Sequence, residues 1–163
     1  RTSWMSNSSN KFAVIGLGNT LRRDDGIGIV ILESLLNSCK RERVDYFNFG
    51  IASFDLVHRM EAYEFILLID GINAGLKPGE LKIFELKDIS YHLKGTVIST
   101  HEFDLKSLFE LYKRFELKSK IYVAGIQVQD VSFGDSLSQP LKDSLEHSIS
   151  EARLFIDKTL LNI

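Results

Sequence analysis

The feature that most constrains this chain is a five-residue stretch, Phe65-Ile-Leu-Leu-Ile69, with no polar side chain, followed at once by Asp70-Gly71. Successive side chains of a strand point to opposite faces. A strand that is apolar at every position therefore needs cover on both faces, as a central strand of a parallel sheet has. Phe12-Ala-Val-Ile-Gly-Leu17 and Ile121-Tyr-Val-Ala-Gly-Ile126 also read as buried strands. Val44-Asp-Tyr-Phe-Asn-Phe49 reads as a further strand, and Leu81, Ile83 and Phe84 as one at an edge. Between the strands the apolar period changes to that of helices. Ile27, Val30, Ile31 and Leu35 form one face ending near Cys39, widened by Leu32 and Leu36. Ser34 falls on that face, where its hydroxyl is expected to bond back to the Val30 carbonyl. Leu56, Val57 and Met60 mark a second helix, with Ser53 as N-cap and Asp55 in its first turn. Leu105, Leu108, Phe109 and Tyr112 mark a third. Ser138 and Pro140 open a long C-terminal helix that keeps Leu141, Leu145, Ile149, Ala152, Ile156 and Leu160 on one side. Strands alternating with helices predict an α/β fold, a three-layer sandwich with a twisted, mostly parallel sheet flanked by helices. Ligands in such sheets bind beyond the carboxyl ends of the strands.

The 163 residues suit one domain with a real core. We place it at residues 11–163. Residues 1–10 read as a tag and a disordered lead, with Arg1-Thr-Ser-Trp4 ahead of Met5 and a polar stretch after it. A net charge of -2 gives no basic surface for nucleic acid or an anionic membrane. No apolar stretch reaches the roughly 18 residues that span a bilayer. Cys39 is the single cysteine, so no internal disulfide forms, and a reducing, cytoplasmic setting is expected. Its place near a helix end, with no histidine close in sequence, reads as a partly buried structural thiol.

Three places can carry chemistry. The first is Gly16-Leu-Gly-Asn-Thr-Leu-Arg-Arg-Asp-Asp-Gly-Ile-Gly28. Its glycines permit a tight turn and close backbone approach, and Asp24 and Asp25 precede a helix whose dipole favours carboxylates. A capping turn explains the same residues. The third glycine of a dinucleotide fingerprint is missing, because Leu stands at 21, and no Gly-Lys-Ser/Thr of a P-loop comes after it. The second is Asp70, at the end of the central strand and aimed at the ligand crevice, or else an Asx turn. The third is Ser99-Thr-His101-Glu102 ahead of the third helix, where a lone histidine also suits a structural hydrogen bond. Two carboxylates and an imidazole from three strand-end loops can meet in one crevice. Such donors suit nickel or a zinc-like divalent ion, and three protein ligands leave positions open. His58, His92 and His147 lack comparable context, and His58 and His147 fall on solvated helix surfaces.

The Gly16–Gly28 motif resembles the opening motif of hydrogenase maturation proteases. The order of the later motifs is also similar to that family: Asp70 after an apolar strand, Pro78-Gly79-Glu80-Leu81, then Ser99-Thr-His101-Glu102. The resemblance runs from about Phe12 into the C-terminal helix. It implies a phosphorylase/hydrolase-like sandwich and an endopeptidase that removes the C-terminal extension of a nickel–iron hydrogenase large-subunit precursor. It carries the family's metal-contacting set onto Asp25, Asp70 and His101, which the resemblance also implies are the catalytic residues. The nickel is expected to come with the precursor, other divalent metals being able to occupy the site in vitro. The expected partner is that precursor, met by a monomer, without nucleic acid or membrane insertion. One departure stands out. Many relatives carry an Asp-Gly-Gly-Thr-like stretch after the second strand, whereas here Asn48-Phe-Gly-Ile-Ala-Ser53 keeps only Gly50. Phe54, Asp55 and Leu56 would then shape a different recognition surface, or simply pack a helix.

Bound metal would polarise the scissile carbonyl or activate water, or a carboxylate would act as general base, as in an aspartyl-type endopeptidase. No Ser–His–Asp or Cys–His arrangement and no His-Glu-x-x-His helix offers another route. A non-cleaving metal-binding chaperone could use the same three residues. Peptidyl-tRNA hydrolases also open with a strand and Gly-Leu-Gly-Asn. They continue with Pro-Gly and a Thr-Arg-His-Asn stretch, where this chain has Thr20-Leu21 and the histidine-free Arg22-Arg-Asp-Asp25.

Overall fold

A computed structural model of the chain describes residues 9–50, 54–93 and 104–163. In chain order it contains β1 (Phe12–Leu17), a 3-10 turn (Arg23–Gly26), α1 (Ile27–Ser38), β2 (Val44–Gly50), α2 (Phe54–Met60), β3 (Phe65–Ile72) and β4 (Leu81–Glu85). A 3-10 turn (Leu86–Asp88), α3 (Ile89–His92), α4 (Leu105–Arg114), β5 (Lys120–Gln127) and α5 (Gln139–Leu160) complete it. The strands form one sheet in the order β2-β1-β3-β5-β4, parallel except for the antiparallel edge strand β4.

The apolar runs become the three inner strands because only there can both faces be covered. Ile66 and Leu68 of β3 face a core shared with Leu56 and Met60 of α2 and Leu105 and Leu108 of α4. Leu67 and Ile69 face the opposite core, built on Ile27, Ile31 and Leu35 of α1 and Leu141, Ala152 and Ile156 of α5. These two cores make the three layers expected from the sequence.

Several expectations need correction. β3 does not stop at Ile69 but runs to Ile72, so Asp70 lies within the strand. Pairing with β5 continues to Ile72↔Gln127 and carries the strand on, whereas pairing with β1 ends at Gly16↔Ile69. On α1, Ile29 is buried and Val30 only partly so, because α1 meets β3, β1, β2 and α5 and its buried stripe is wide. The serine that bonds back along α1 is Ser38, whose hydroxyl donates to the Ser34 carbonyl at 2.6 Å. The short helical pieces after β4 were not foreseen; Leu86, Ile89 and Leu93 tuck them into the core. Leu56 is a core residue and Asp55 is exposed, which favours helix packing over a recognition role for Leu56. Ser53 as N-cap lies outside the described residues.

Candidate active site

The strand order creates the crevice. From β1 the chain crosses through α1 to β2 on one side, while from β3 it proceeds to β4 and β5 on the other. The connections therefore diverge between β1 and β3, and an open α/β sheet binds ligands at such a switch point, beyond the carboxyl ends of its strands. β3 outruns β1 there, and Asp70 is its first residue past the β1 ladder.

The glycine-rich motif fits the chain into this corner. At Gly28, in the first turn of α1, an added Cβ would lie 2.2 Å from the Ile69 carbonyl oxygen and 2.3 Å from that of Leu17. The helix thus starts directly on the ends of β3 and β1, which only glycine permits. Gly18 has φ +134, and a Cβ there would lie 2.0 Å from the Asp25 carbonyl oxygen. Its N–H donates to the Gly50 carbonyl at 2.7 Å, tying the turn to the end of β2.

The two adjacent acids have different work. Asp24 is fully buried and its carboxylate is saturated by the segment between β5 and α5. Its Oδ2 accepts from the backbone N–H groups of Gln129 and Asp130, each at 2.9 Å, and from the Ser138 hydroxyl at 2.7 Å. Its Oδ1 accepts from the Ser138 N–H at 2.7 Å. Ser138 stands at the N-cap of α5 as expected, but its hydroxyl turns to Asp24 instead of capping the helix. Arg23 reinforces the clamp, pairing with Asp130 at 2.7 Å and donating from Nε to the Ser136 carbonyl at 3.0 Å.

Asp25 accepts the Asn19 N–H on Oδ2 at 3.1 Å. It acts electrostatically on Asp70, which is only 4% exposed. Burial pushes the Asp70 carboxyl well above its usual range, and the charges of Asp25 and then Asp104 push the same way. The Gly71 N–H opposes them by hydrogen bonding to the carboxylate. Asp70 Oδ1 is buried and has no hydrogen-bond partner. Asp104 is the N-cap of α4 and accepts the Ser107 N–H at 2.8 Å.

Of the three residues singled out from the sequence, the fold brings Asp25 and Asp70 together. His101, with the whole Ser99–Glu102 stretch, lies outside the described residues. Among the described residues no three His, Cys, Asp or Glu side chains form a metal-holding group. His58 and His147 are exposed, as expected, while His92 stacks on Phe84 with ring centroids 4.4 Å apart. Cys39 is partly buried. Sequence reasoning missed the division of labour between Asp24 and Asp25, since adjacency gives no signal for it. It also missed Asp104, which the N-cap preference for Asp before an apolar helix face would have flagged.

The molecule is an α/β protein with a mostly parallel open sheet and two buried carboxylates, Asp25 and Asp70, near its switch point. The sequence profile of the hydrogenase maturation protease family matches residues 29–153. The chain belongs to the hydrogenase maturation protease family. It is 29% identical to the Hydrogenase 3 maturation protease of Escherichia coli K12, over 80% of this chain and 81% of that one. It is 26% identical to the hydrogenase expression/formation protein HupM of Azotobacter chroococcum, over 93% of this chain and 74% of the relative. Among solved structures it is similar to the [NiFe] hydrogenase maturation protease HybD of Thermococcus kodakarensis, with TM-score 0.70 and 26% identity over 89% of this chain and 98% of that one. The E. coli hydrogenase maturating endopeptidase HybD superposes with TM-score 0.79 over 91% and 93% of the two chains, at 19% identity, which supports the fold. The chain is thus an endopeptidase of hydrogenase maturation, with a role in C-terminal processing of the hydrogenase large subunit. Among the described residues no helix is long and apolar enough to cross a membrane.

Proposed function

We propose that Asp25, Asp70 and His101 contact the nickel carried by a large-subunit precursor of a nickel–iron hydrogenase, and that its C-terminal extension is cleaved only when that nickel is present. The observation that carries the reading is the buried Oδ1 of Asp70, an unpaired acceptor beside a second carboxylate. Two facing acids are held at a cost that a cation relieves. Carboxylate and imidazole together suit a divalent ion of this kind. His101 enters the reading through the resemblance of the Ser99-Thr-His101-Glu102 motif. The nickel belongs to the substrate, so the protein's share is to recognise it and hold the neighbouring peptide bond. Either Asp25 or Asp70, once deprotonated, can take a proton from the attacking water as general base. We take the working unit to be a monomer, each copy carrying Asp25, Asp70 and His101 in its own sequence. Its single cysteine suits the cytoplasm.

Incubation of the purified protein with nickel-loaded and nickel-free precursor, with intact mass as the readout, tests this. The expected result is a defined C-terminal loss from the loaded form alone, abolished in Asp25→Ala and His101→Ala variants that remain folded. Equal cleavage of both forms removes nickel recognition. Normal cleavage by either variant removes the assigned residues, and no cleavage of a verified precursor favours a non-cleaving chaperone.

A further inference from the structure

Two large apolar side chains stand beside the turn that carries Asp25. Leu21 is 67% exposed and Phe133 80% exposed. They come from distant parts of the sequence but sit on neighbouring turns. The Gly134 N–H donates to the Leu21 carbonyl at 3.0 Å, the Arg23 N–H donates to the Gly134 carbonyl at 3.0 Å, and Arg22 bridges Gly134. Among the described residues the other large exposed apolar side chains are Tyr91 on α3, Phe115 at the end of α4, and Leu154 and Leu161 along and at the end of α5, away from the turn that carries Asp25.

Between Leu21 and Phe133 in this arrangement is a cation. The Arg22 guanidinium lies over the Phe133 ring, 4.7 Å from its centroid. Arg23 next to it is neutralised by Asp130, but Arg22 has no carboxylate partner among the described residues, and its Nε is shielded without an acceptor. The surface is rigid, because the four hydrogen bonds to Asp24 and the Arg23–Asp130 pair fix both turns. It is also continuous with the site: the Asp25 N–H donates to the Arg22 carbonyl at 2.9 Å. Exposed apolar groups gathered beside a site mark interaction surfaces, and aromatic residues and arginine carry much of the energy of such contacts.

We propose that Leu21, Arg22 and Phe133 form a docking surface for the hydrogenase large-subunit precursor, taking an apolar side chain against Leu21 and Phe133 and an adjacent carboxylate on Arg22. This rests on the function proposed above. The uncompensated charge selects an acidic group, and the ring beneath the guanidinium keeps it oriented. Contact here holds the precursor beside Asp25 without touching the reacting atoms, so it acts on binding and not on the chemical step.

Cleavage kinetics of the nickel-loaded precursor by wild type, Phe133→Ser, Arg22→Ala and the remote control Leu154→Ser, each checked for fold by circular dichroism, provide the test. KM should rise roughly tenfold or more for the first two variants, with kcat held within about twofold, and the control should match wild type. Raised salt should increase KM for wild type and Phe133→Ser more than for Arg22→Ala. Unchanged KM in both variants, or a fall in kcat at constant KM, overturns the docking surface while leaving the protease intact. Failure of the wild type to cleave removes the underlying function, and this proposal with it.

Discussion

Replacing Asp24 by Asn should destabilise the protein far more than so small a change suggests. The four donors on Asp24 comprise three on Oδ2 and one on Oδ1. An amide can accept on one side only. Its less costly orientation keeps the oxygen toward Gln129, Asp130 and the Ser138 hydroxyl, and turns its NH2 toward the Ser138 N–H. One charge-assisted bond, worth about 1.5–3 kcal/mol, is lost, and a buried N–H is left facing another donor. The three surviving bonds pass from a charged to a neutral acceptor and weaken. Allowing for overlap between these effects, the loss is about 3 kcal/mol. With a urea m-value of about 2 kcal/mol/M for a chain of this size, the unfolding midpoint should fall by about 1.5 M at constant slope. Ser138→Ala alone should cost about 1 kcal/mol, and the double variant should lose less than the sum, because both changes act on the same bonds. A loss below about 1 kcal/mol for Asp24→Asn, or strict additivity with Ser138→Ala, would refute the clamp.

Asp70→Asn should stabilise the metal-free protein as pH rises. The folded state holds the Asp70 proton more tightly than the unfolded state, so wild-type stability declines from about the ordinary carboxylate value of 3.8 up through the raised one. The variant escapes that decline, and urea unfolding across this pH window should show the gap between the two widening with pH; a constant gap would contradict the raised carboxyl. Gly28→Ala should cost about 3 kcal/mol or prevent folding, since its Cβ would meet the Ile69 and Leu17 carbonyl oxygens, which are backbone atoms with little room to yield. A melting temperature matching wild type would show that α1 does not start in contact with the strand ends.

The sequence spoke most clearly where one physical effect dominated. Residues 65–69 could only be a doubly covered strand, and the periodic faces of α4 and α5 had no competing reading. It was less clear where neighbours decide. The continuation of β3 through Asp70 and Gly71 depends on pairing with β5, a partner some fifty residues away that leaves no local trace. The wide buried stripe of α1 depends on contacts with two layers, so the partial exposure of Val30 could not be read from spacing. At the site, the motif indicated where acids would gather but not which of them the segment ahead of α5 would bind. Asp24 and Asp25 are both buried and both precede α1. What separates them is the segment 129–138, more than a hundred residues later, which gives Asp24 four donors, while Asp25 accepts the Asn19 N–H and its charge raises the Asp70 carboxyl.

That separation explains how a fold can keep two acids at its switch point without closing the site on itself. A carboxylate held by four donors is fixed in place, and it fixes the backbone on which Asp25 sits, because the two residues share one 3-10 turn. Asp70 is fixed differently, by the ladder to β5 on one side and the Gly71 N–H at its carboxyl group. Asp25 and Asp70 are thus positioned through the backbone of the 3-10 turn and of β3. Had Arg22 or Arg23 turned inward to neutralise Asp70, the crevice would have been satisfied and inert. Instead Arg23 is occupied by Asp130 and Arg22 lies on Phe133. The Asp70 carboxyl can stay neutral by keeping its proton. Under the proposed function, a divalent ion brought by the substrate would displace that proton, so that recognition of the metal and ionisation of Asp70 would be one event.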